Sequence, residues 1–361
     1  MTIFYNPVHH LHAGKKEMYR GELVDAHESP ARLDHVLTAL RESELAAQLQ
    51  ASKERETVPL MHVLASVHQR RYLNFLSRAW QAWVAIDPAN AHRDAFPSVW
   101  PVRDGTADFR ADVEPHNFAA QIGLYSFDSG TPLTAGTWQA ACAGAACTLD
   151  AVDAVVGGQP HATAITRPPG HHAGADYFGG YCFINNAALA AEQLRQRLGG
   201  NVAVLDVDYH HGNGTQAIFY KRADVLTCSI HGDPMTEYPF FSGHVNETGT
   251  GDGFGFNANW PLPKGTGFDV WRRALAQAIA RITAYKPSAL VVPLGLDTFT
   301  GDPISGFHLQ TEHYVQVGQD IAALGVPTVL VFEGGYSVSE LGDNTVNALR
   351  GFASKHQLVS R

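Results

Sequence analysis

The sequence predicts an α/β fold, a mainly parallel sheet with helices on both faces. Three observations predict it. Short apolar, β-branched runs such as NVAVL (201–205), ALVVPL (289–294) and PTVLVF (327–332) alternate with helical patterns. These runs carry no polar face, as strands covered on both sides require. Each passes directly into a polar, glycine-rich segment, and in open parallel sheets ligands bind outside the carboxyl ends of the strands.

Taken in order, the first thirty residues are polar and rich in His and Gly. Ser29 followed by Pro30 then marks a helix start, and Leu33, Val36, Leu37 and Leu40 recur on one helical face. Residues 67–86 repeat that pattern with Tyr72, Leu73, Leu76, Trp80 and Trp83. From 87 to 115 the pattern breaks, with four prolines and many charges. So long a loop within a compact fold is usually functional, and it reads as an insertion near a site or a partner. Regular alternation resumes with an Ala-rich helix at 134–156, a strand at 162–165, a helix at 186–198, the strand at 201–205, a short helix at 215–222 and a strand at 225–230. A helix at 268–285, the strand at 289–294, a helix at 311–324, the strand at 327–332 and a last helix through 338–350 complete the chain. The whole, 1–361, reads as one domain.

Composition narrows the function. With 35 acidic and 26 basic residues the formal charge is −9, which disfavours a general nucleic-acid binder and suits a cationic substrate. Cys142, Cys147, Cys182 and Cys228 form no CxxC pattern and read as buried thiols of a reducing compartment. The N-terminus lacks the apolar run of a signal peptide, and no stretch is expected to reach the roughly 20 apolar residues of a membrane span. A cytoplasmic protein is expected. The 19 histidines cluster in the middle of the chain.

Five strand ends deliver chemistry to one sheet edge: Thr166 to His172, Asp206 to Gly214, His231-Gly232-Asp233, Gly295-Leu296-Asp297 and Glu333-Gly334-Gly335-Tyr336. Along an extended backbone Asp206, Asp208 and His210 share a side. Carboxylates so close call for a cation, and Asp297 supplies a further oxygen from another strand end. An Asp-His-Asp set with open positions is catalytic rather than structural. Zinc is the first choice, and Fe(II), Mn(II) or Co(II) would also fit oxygen-rich ligands. His171 and His172 follow a stiff Pro-Pro-Gly turn and can serve as base and acid. Asp206 and Asn213 can each receive an imidazole N–H and set tautomer and basicity, with the Asp partner raising its histidine's pKa more. Tyr336 can donate its hydroxyl to a developing oxyanion.

In that order RPPGHHA, GGYCFINN, LDVDYHHGNGT, SIHGDP, LGLDTFTGDP and EGGY resemble the arginase–deacetylase superfamily, and within it the bacterial acetylpolyamine amidohydrolases related to class II histone deacetylases. The resemblance runs from KKEMYRGELV to the last helix. It implies an eight-stranded parallel sheet and zinc-dependent hydrolysis of an acetylated amine. It implies Asp208, His210 and Asp297 as metal ligands, His172 as general base and acid, His171 as its electrostatic neighbour and Tyr336 as the transition-state tyrosine. It implies a structural K+ or Na+ held by Asp206 and Ser229 with the carbonyls of Asp208, His210 and Ile230. Tyr181, Tyr238 and Ile304 match tunnel-wall positions, and Glu17 an acid near the mouth that would pair with a distal ammonium. The 87–115 segment corresponds to a dimerisation insertion narrowing the entrance, so a homodimer is expected. Pro115-His116-Asn117 stands where another mouth acid is expected. The favoured substrates are acetylputrescine, acetylcadaverine and acetylspermidine. A protein acetyl-lysine deacetylase shares this chemistry and differs only in mouth width. A dimanganese ureohydrolase would need more carboxylate ligands. A non-catalytic acetyl-ligand sensor would be expected to lack Tyr336 or a ligand.

Overall fold

A computed structural model describes residues 1–100 and 113–356. In chain order the elements are β1 (Thr2–Tyr5), β2 (Lys16–Tyr19), β3 (Glu22–Asp25), α1 (Pro30–Glu42), β4 (Leu49–Ala51), α2 (Thr57–Leu64), α3 (Arg70–Ile86), α4 (Phe118–Leu124), α5 (Thr137–Val156) and β5 (His161–Ile165). They continue with α6 (Asn186–Leu198), β6 (Val202–Asp206), α7 (Asn213–Phe219), β7 (Val225–Gly232), β8 (Asn257–Leu262), α8 (Phe268–Tyr285), β9 (Ala289–Leu294), α9 (His313–Ala322), β10 (Thr328–Phe332) and α10 (Val338–His356). Eight strands form one sheet in the order β4-β1-β5-β10-β9-β6-β7-β8. Every neighbouring pair in it is parallel. β2 and β3 form a separate antiparallel hairpin.

The strands explain the layers. Every residue of β5, β6, β7, β9 and β10 is buried. Alternation then sends neighbouring residues to opposite cores. On β9, Val291 joins the core with Leu76 of α3, Leu149 of α5 and Leu189 of α6. Leu290 and Val292 join the core with Leu37 of α1, Leu275 of α8, Ile321 of α9 and Leu349 of α10.

The sequence reading missed β1, β4 and β8. β1 and β4 are only four and three residues long, and β8 is a half-exposed strand at the sheet's end. Polar residues reach these outer strands, so they lack the continuous apolar run that marks the central ones. Helix ends also move: the 134–156 helix begins at Thr137, the 215–222 helix is Asn213–Phe219, and the last helix runs on to His356. The expectation that no stretch is long and apolar enough for a membrane span is corrected by α5, whose 20 residues meet that length and composition. Its apolarity has another cause, because most of it packs inside the fold. Cys147, Cys182 and Cys228 are buried thiols as expected, whereas Cys142 is only partly covered.

Of the 87–115 segment, residues 101–112 lie outside the described residues. Its start is tied down: Asp87 caps a short turn at Pro88–His92 through the Ala89 N–H, the Trp83 indole donates to the Arg93 carbonyl at 3.0 Å, and Ala95 pairs with Leu133.

Candidate active site

The strand ends predicted to meet do meet, because β5, β10, β9, β6 and β7 are consecutive in the sheet. β6 stops at Asp206, so residues 207–210 turn rather than alternate, and Asp206 separates from Asp208 and His210. Its carboxylate takes His171 Nδ1–H at 2.9 Å. Asp208, His210 and Asp297 converge instead, with ligand atoms within 4.8 Å of one another and all three residues buried. Backbone donors aim the carboxylates: Gly334 N–H reaches Asp208 at 2.8 Å and Tyr209 N–H reaches Asp297 at 2.8 Å.

The donor chemistry of this trio fits a divalent cation. Burial and then the Asp208 carboxylate push Asp297 up to about 8. Burial opposes charge on His210, yet its hydrogen bonds to Asp208 and Asp297 hold it up near 10. Asp297 and His210 thus hold protons where a cation would otherwise sit, beside an Asp208 carboxylate that His171 and His210 keep well below the usual range despite its burial. Two oxygen ligands and one imidazole suit zinc and equally its divalent neighbours.

The adjacent histidines differ as the sequence predicts. Burial alone would lower His171, but Asp208 and Asp206 outweigh it and raise it to about 10. Burial, and then repulsion from His171 and His210, drives His172 well below its ordinary value. His172 Nδ1 lies 2.7 Å from Asn213 Oδ1. An amide oxygen only accepts, so Nδ1 carries the proton and Nε2 is bare. Gly180, with φ +53°, lets the chain cross the His172 ring, because a Cβ there would lie 2.3 Å from its Cδ2.

A cavity of about 290 Å³ opens onto this centre, and His172, His210, Tyr181, Tyr238, Ile304 and Tyr336 all line it. The Tyr238 ring stands edge-on to His172 at 5.1 Å, and the Tyr181 ring meets Tyr336 at 5.6 Å. Burial keeps the Tyr336 phenol protonated well above the ordinary range. Arg32 stacks on that ring at 4.6 Å and donates to the carbonyls of Glu333 and Gly335, both at 2.6 Å, fixing the loop that carries it.

Glu17 does not line this cavity. It is buried behind the wall, where it accepts from Tyr181 Oη at 3.0 Å and His27 N–H at 3.1 Å and pairs with His27 Nδ1 at 2.6 Å. Among the described residues, the acids lining the cavity are Asp128 and Glu237, which the sequence reading passed over. Asp128 sits in a Ser-Gly turn and Glu237 next to a tyrosine, so neither stands out locally. Arg32 was missed for the same reason, as one polar position on an apolar helix face. Across β6 and β7, Asp206 pairs in register with Ser229, beside Ile230. Ser229 Oγ also lies 2.7 Å from His231 Nδ1.

Comparison with known proteins agrees with this architecture. The chain is 45% identical over 357 residues to acetylpolyamine amidohydrolase 2 of Pseudomonas aeruginosa, covering 99% of this chain and 100% of that one. It is 44% identical over 356 residues to the acetylpolyamine amidohydrolase of Mycoplana ramosa, with 98% and 100% covered. The crystal structure of an acetylpolyamine aminohydrolase from Burkholderia pseudomallei superposes with a TM-score of 0.89 at 35% identity, covering 98% of this chain and 99% of that one. Residues 26–352 match the histone deacetylase domain, and that span runs from just ahead of the arginine beneath Tyr336 into the last helix. On fold, residues and site together, the chain belongs to the histone deacetylase domain family and is an amidohydrolase of that family.

Proposed function

We propose that this enzyme deacetylates small cationic acetylated amines, acetylpolyamines above all, with one divalent metal, zinc, at Asp208, His210 and Asp297. One observation carries the reading: a bare imidazole nitrogen on His172, a protonated phenol on Tyr336 and His210 of the carboxylate–imidazole trio line one narrow cavity. A divalent ion bound there would supply Lewis-acid polarisation of the acetyl carbonyl and an acidified water. His172 Nε2 takes the proton from the attacking water. The Tyr336 hydroxyl donates to the oxygen that gains charge as the carbonyl becomes tetrahedral. His172 then returns its proton to the departing amine. His171, held positive by Asp206 and Asp208, places fixed charge beside the reacting centre. Tyr181, Tyr238 and Ile304 flank the acetylated chain and exclude water.

Identity with proteins named acetylpolyamine amidohydrolases supports this substrate class over an acetyl-lysine protein. The pairing of Asp206 with Ser229 supports a K+ or Na+ site there with the carbonyls of Asp208, His210 and Ile230. The 87–115 segment is read as the contact of a homodimer. Kinetics on acetylputrescine, acetylspermidine and an acetyl-lysine peptide test the proposal. The acetylated amines should be cleaved with the higher kcat/KM, and faster cleavage of the peptide would overturn the substrate assignment.

A further inference from the structure

Among the described residues, three charged side chains besides the histidines line the cavity: Arg20, Asp128 and Glu237. Asp128 is fully used. Its Oδ1 accepts the N–H groups of Gly130 and Thr131 at 3.0 and 3.1 Å, and its Oδ2 accepts Gly180 N–H at 2.6 Å and the Tyr238 hydroxyl at 2.8 Å. It holds the wall in place. Arg20 is exposed, with its guanidinium 5.1 Å above the Tyr19 ring, so water and salt screen its charge.

Glu237 is different. It is only 7% exposed, and among the described residues no ion pair reaches it. Beside it lies the fully buried Tyr209 hydroxyl, which engages the Glu237 carboxylate. The approach depends on Gly232 at the end of β7: a Cβ there would lie 3.0 Å from Tyr209 Oη and 3.1 Å from Glu237 Cγ. Lys264 passes nearby, its stem against Gly306, but it is exposed and forms no ion pair with Glu237 among the described residues.

We propose that Glu237, backed by the Tyr209 hydroxyl, receives the distal ammonium of the substrate and selects a cationic acetylated amine over a neutral one. This deepens, and rests on, the deacetylase reading above. A buried carboxylate without a cation is costly, and a ligand's ammonium removes that cost by pairing with it. A site built around a buried polar group rejects an analogue that leaves the group unpaired far more strongly than one that merely alters size. The role falls to Glu237 because Glu17 is occupied by His27 and Tyr181, and Asp128 by four donors.

The test compares N-acetylputrescine with N-pentylacetamide, which carries a methyl in place of the ammonium. Wild-type enzyme should favour acetylputrescine. Glu237→Gln should lower the ratio of the two kcat/KM values at least tenfold, mainly through KM for acetylputrescine, and Glu237→Asp should retain part of the preference. A purely structural role would depress both substrates alike and leave the ratio in place, which would overturn the proposal. If Glu237→Gln fails to fold, Glu237→Asp and Tyr209→Phe decide: an unchanged ratio in both overturns it. A wild-type preference for 5-acetamidopentanoate, lost in Arg20→Gln, would assign charge reading to Arg20 and also overturn it. Wild-type enzyme that cleaves acetylputrescine with a preference insensitive to Glu237 defeats only this inference, whereas enzyme that cleaves no acetylated amine defeats the deacetylase reading itself.

Discussion

His171 and His172 stand with ring centroids 4.1 Å apart, yet their environments drive them in opposite directions. The partner decides it: a carboxylate on His171 and an amide on His172. His172 faces the cavity and can move a proton, whereas His171 does not line it and contributes charge. Loss of an acid–base group typically costs about 10²–10⁴-fold. His172→Ala should therefore lose kcat/KM by about that factor and by more than His171→Ala, and the reverse order with metal retained would exchange the roles. Asp297 bears on the ion instead. Elemental analysis should give about one divalent ion per chain for the wild type and almost none for Asp297→Ala, with activity lost in step. Two tightly held manganese ions would contradict a single-metal centre. These residues were legible because each sits in a short run at a strand end. Glu237 and Asp128 were not, because what distinguishes them is convergence: Gly232, Tyr209 and Glu237 meet across separate segments of the chain.

At the scale of elements, legibility followed burial. β9 and α8 begin and end where their apolar patterns do, because β9 is covered on both faces and α8 carries one clean stripe of Trp271, Leu275, Ala278 and Ile282. The hairpin of β2 and β3 is mostly exposed, so no apolar alternation marks it. The central strands hold the site in place, since a shift of β9 against β6 or β10 would displace Asp297 from Asp208 and from the Tyr336 loop. Leu290→Ala, in a position with no exposure, should cost about 2–5 kcal/mol through the cavity it leaves. In urea it should lower the midpoint and keep the slope. A changed slope would mean that the denatured or native ensemble had altered instead.

Across the whole molecule several buried histidines outside the reaction act as neutral struts. His12, His68 and His231 are each held near 4, by burial first in every case. His68 shows why: its Nδ1 lies 2.8 Å from the Gly174 carbonyl, which can only accept, and its Nε2 accepts Asn185 N–H at 3.0 Å. A second proton on the ring would break the Asn185 bond. Asn185 in turn caps α6 through Ala188 N–H and holds the Ala173 carbonyl just past the catalytic pair, so His68 links α3's start to the reactive loop. With a folded value near 4 and an unfolded one of 6.5, the unfolded chain binds more protons between those limits. Stability from His68 is thus complete above about pH 6.5 and declines as pH falls toward 4, at up to about 1.4 kcal/mol per pH unit. Glu333, held near 7 by burial, works in the opposite sense over the same range, so a bulk acid titration would mix the two. A substitution separates them. His68→Asn should be destabilised by about 1–3 kcal/mol at pH 7.5 through its unmade buried hydrogen bonds. Because asparagine does not titrate, the gap to wild type in urea melts should narrow as pH drops from 6.5 to 5, and a gap that stays constant or widens would show that His68 takes up its proton without cost.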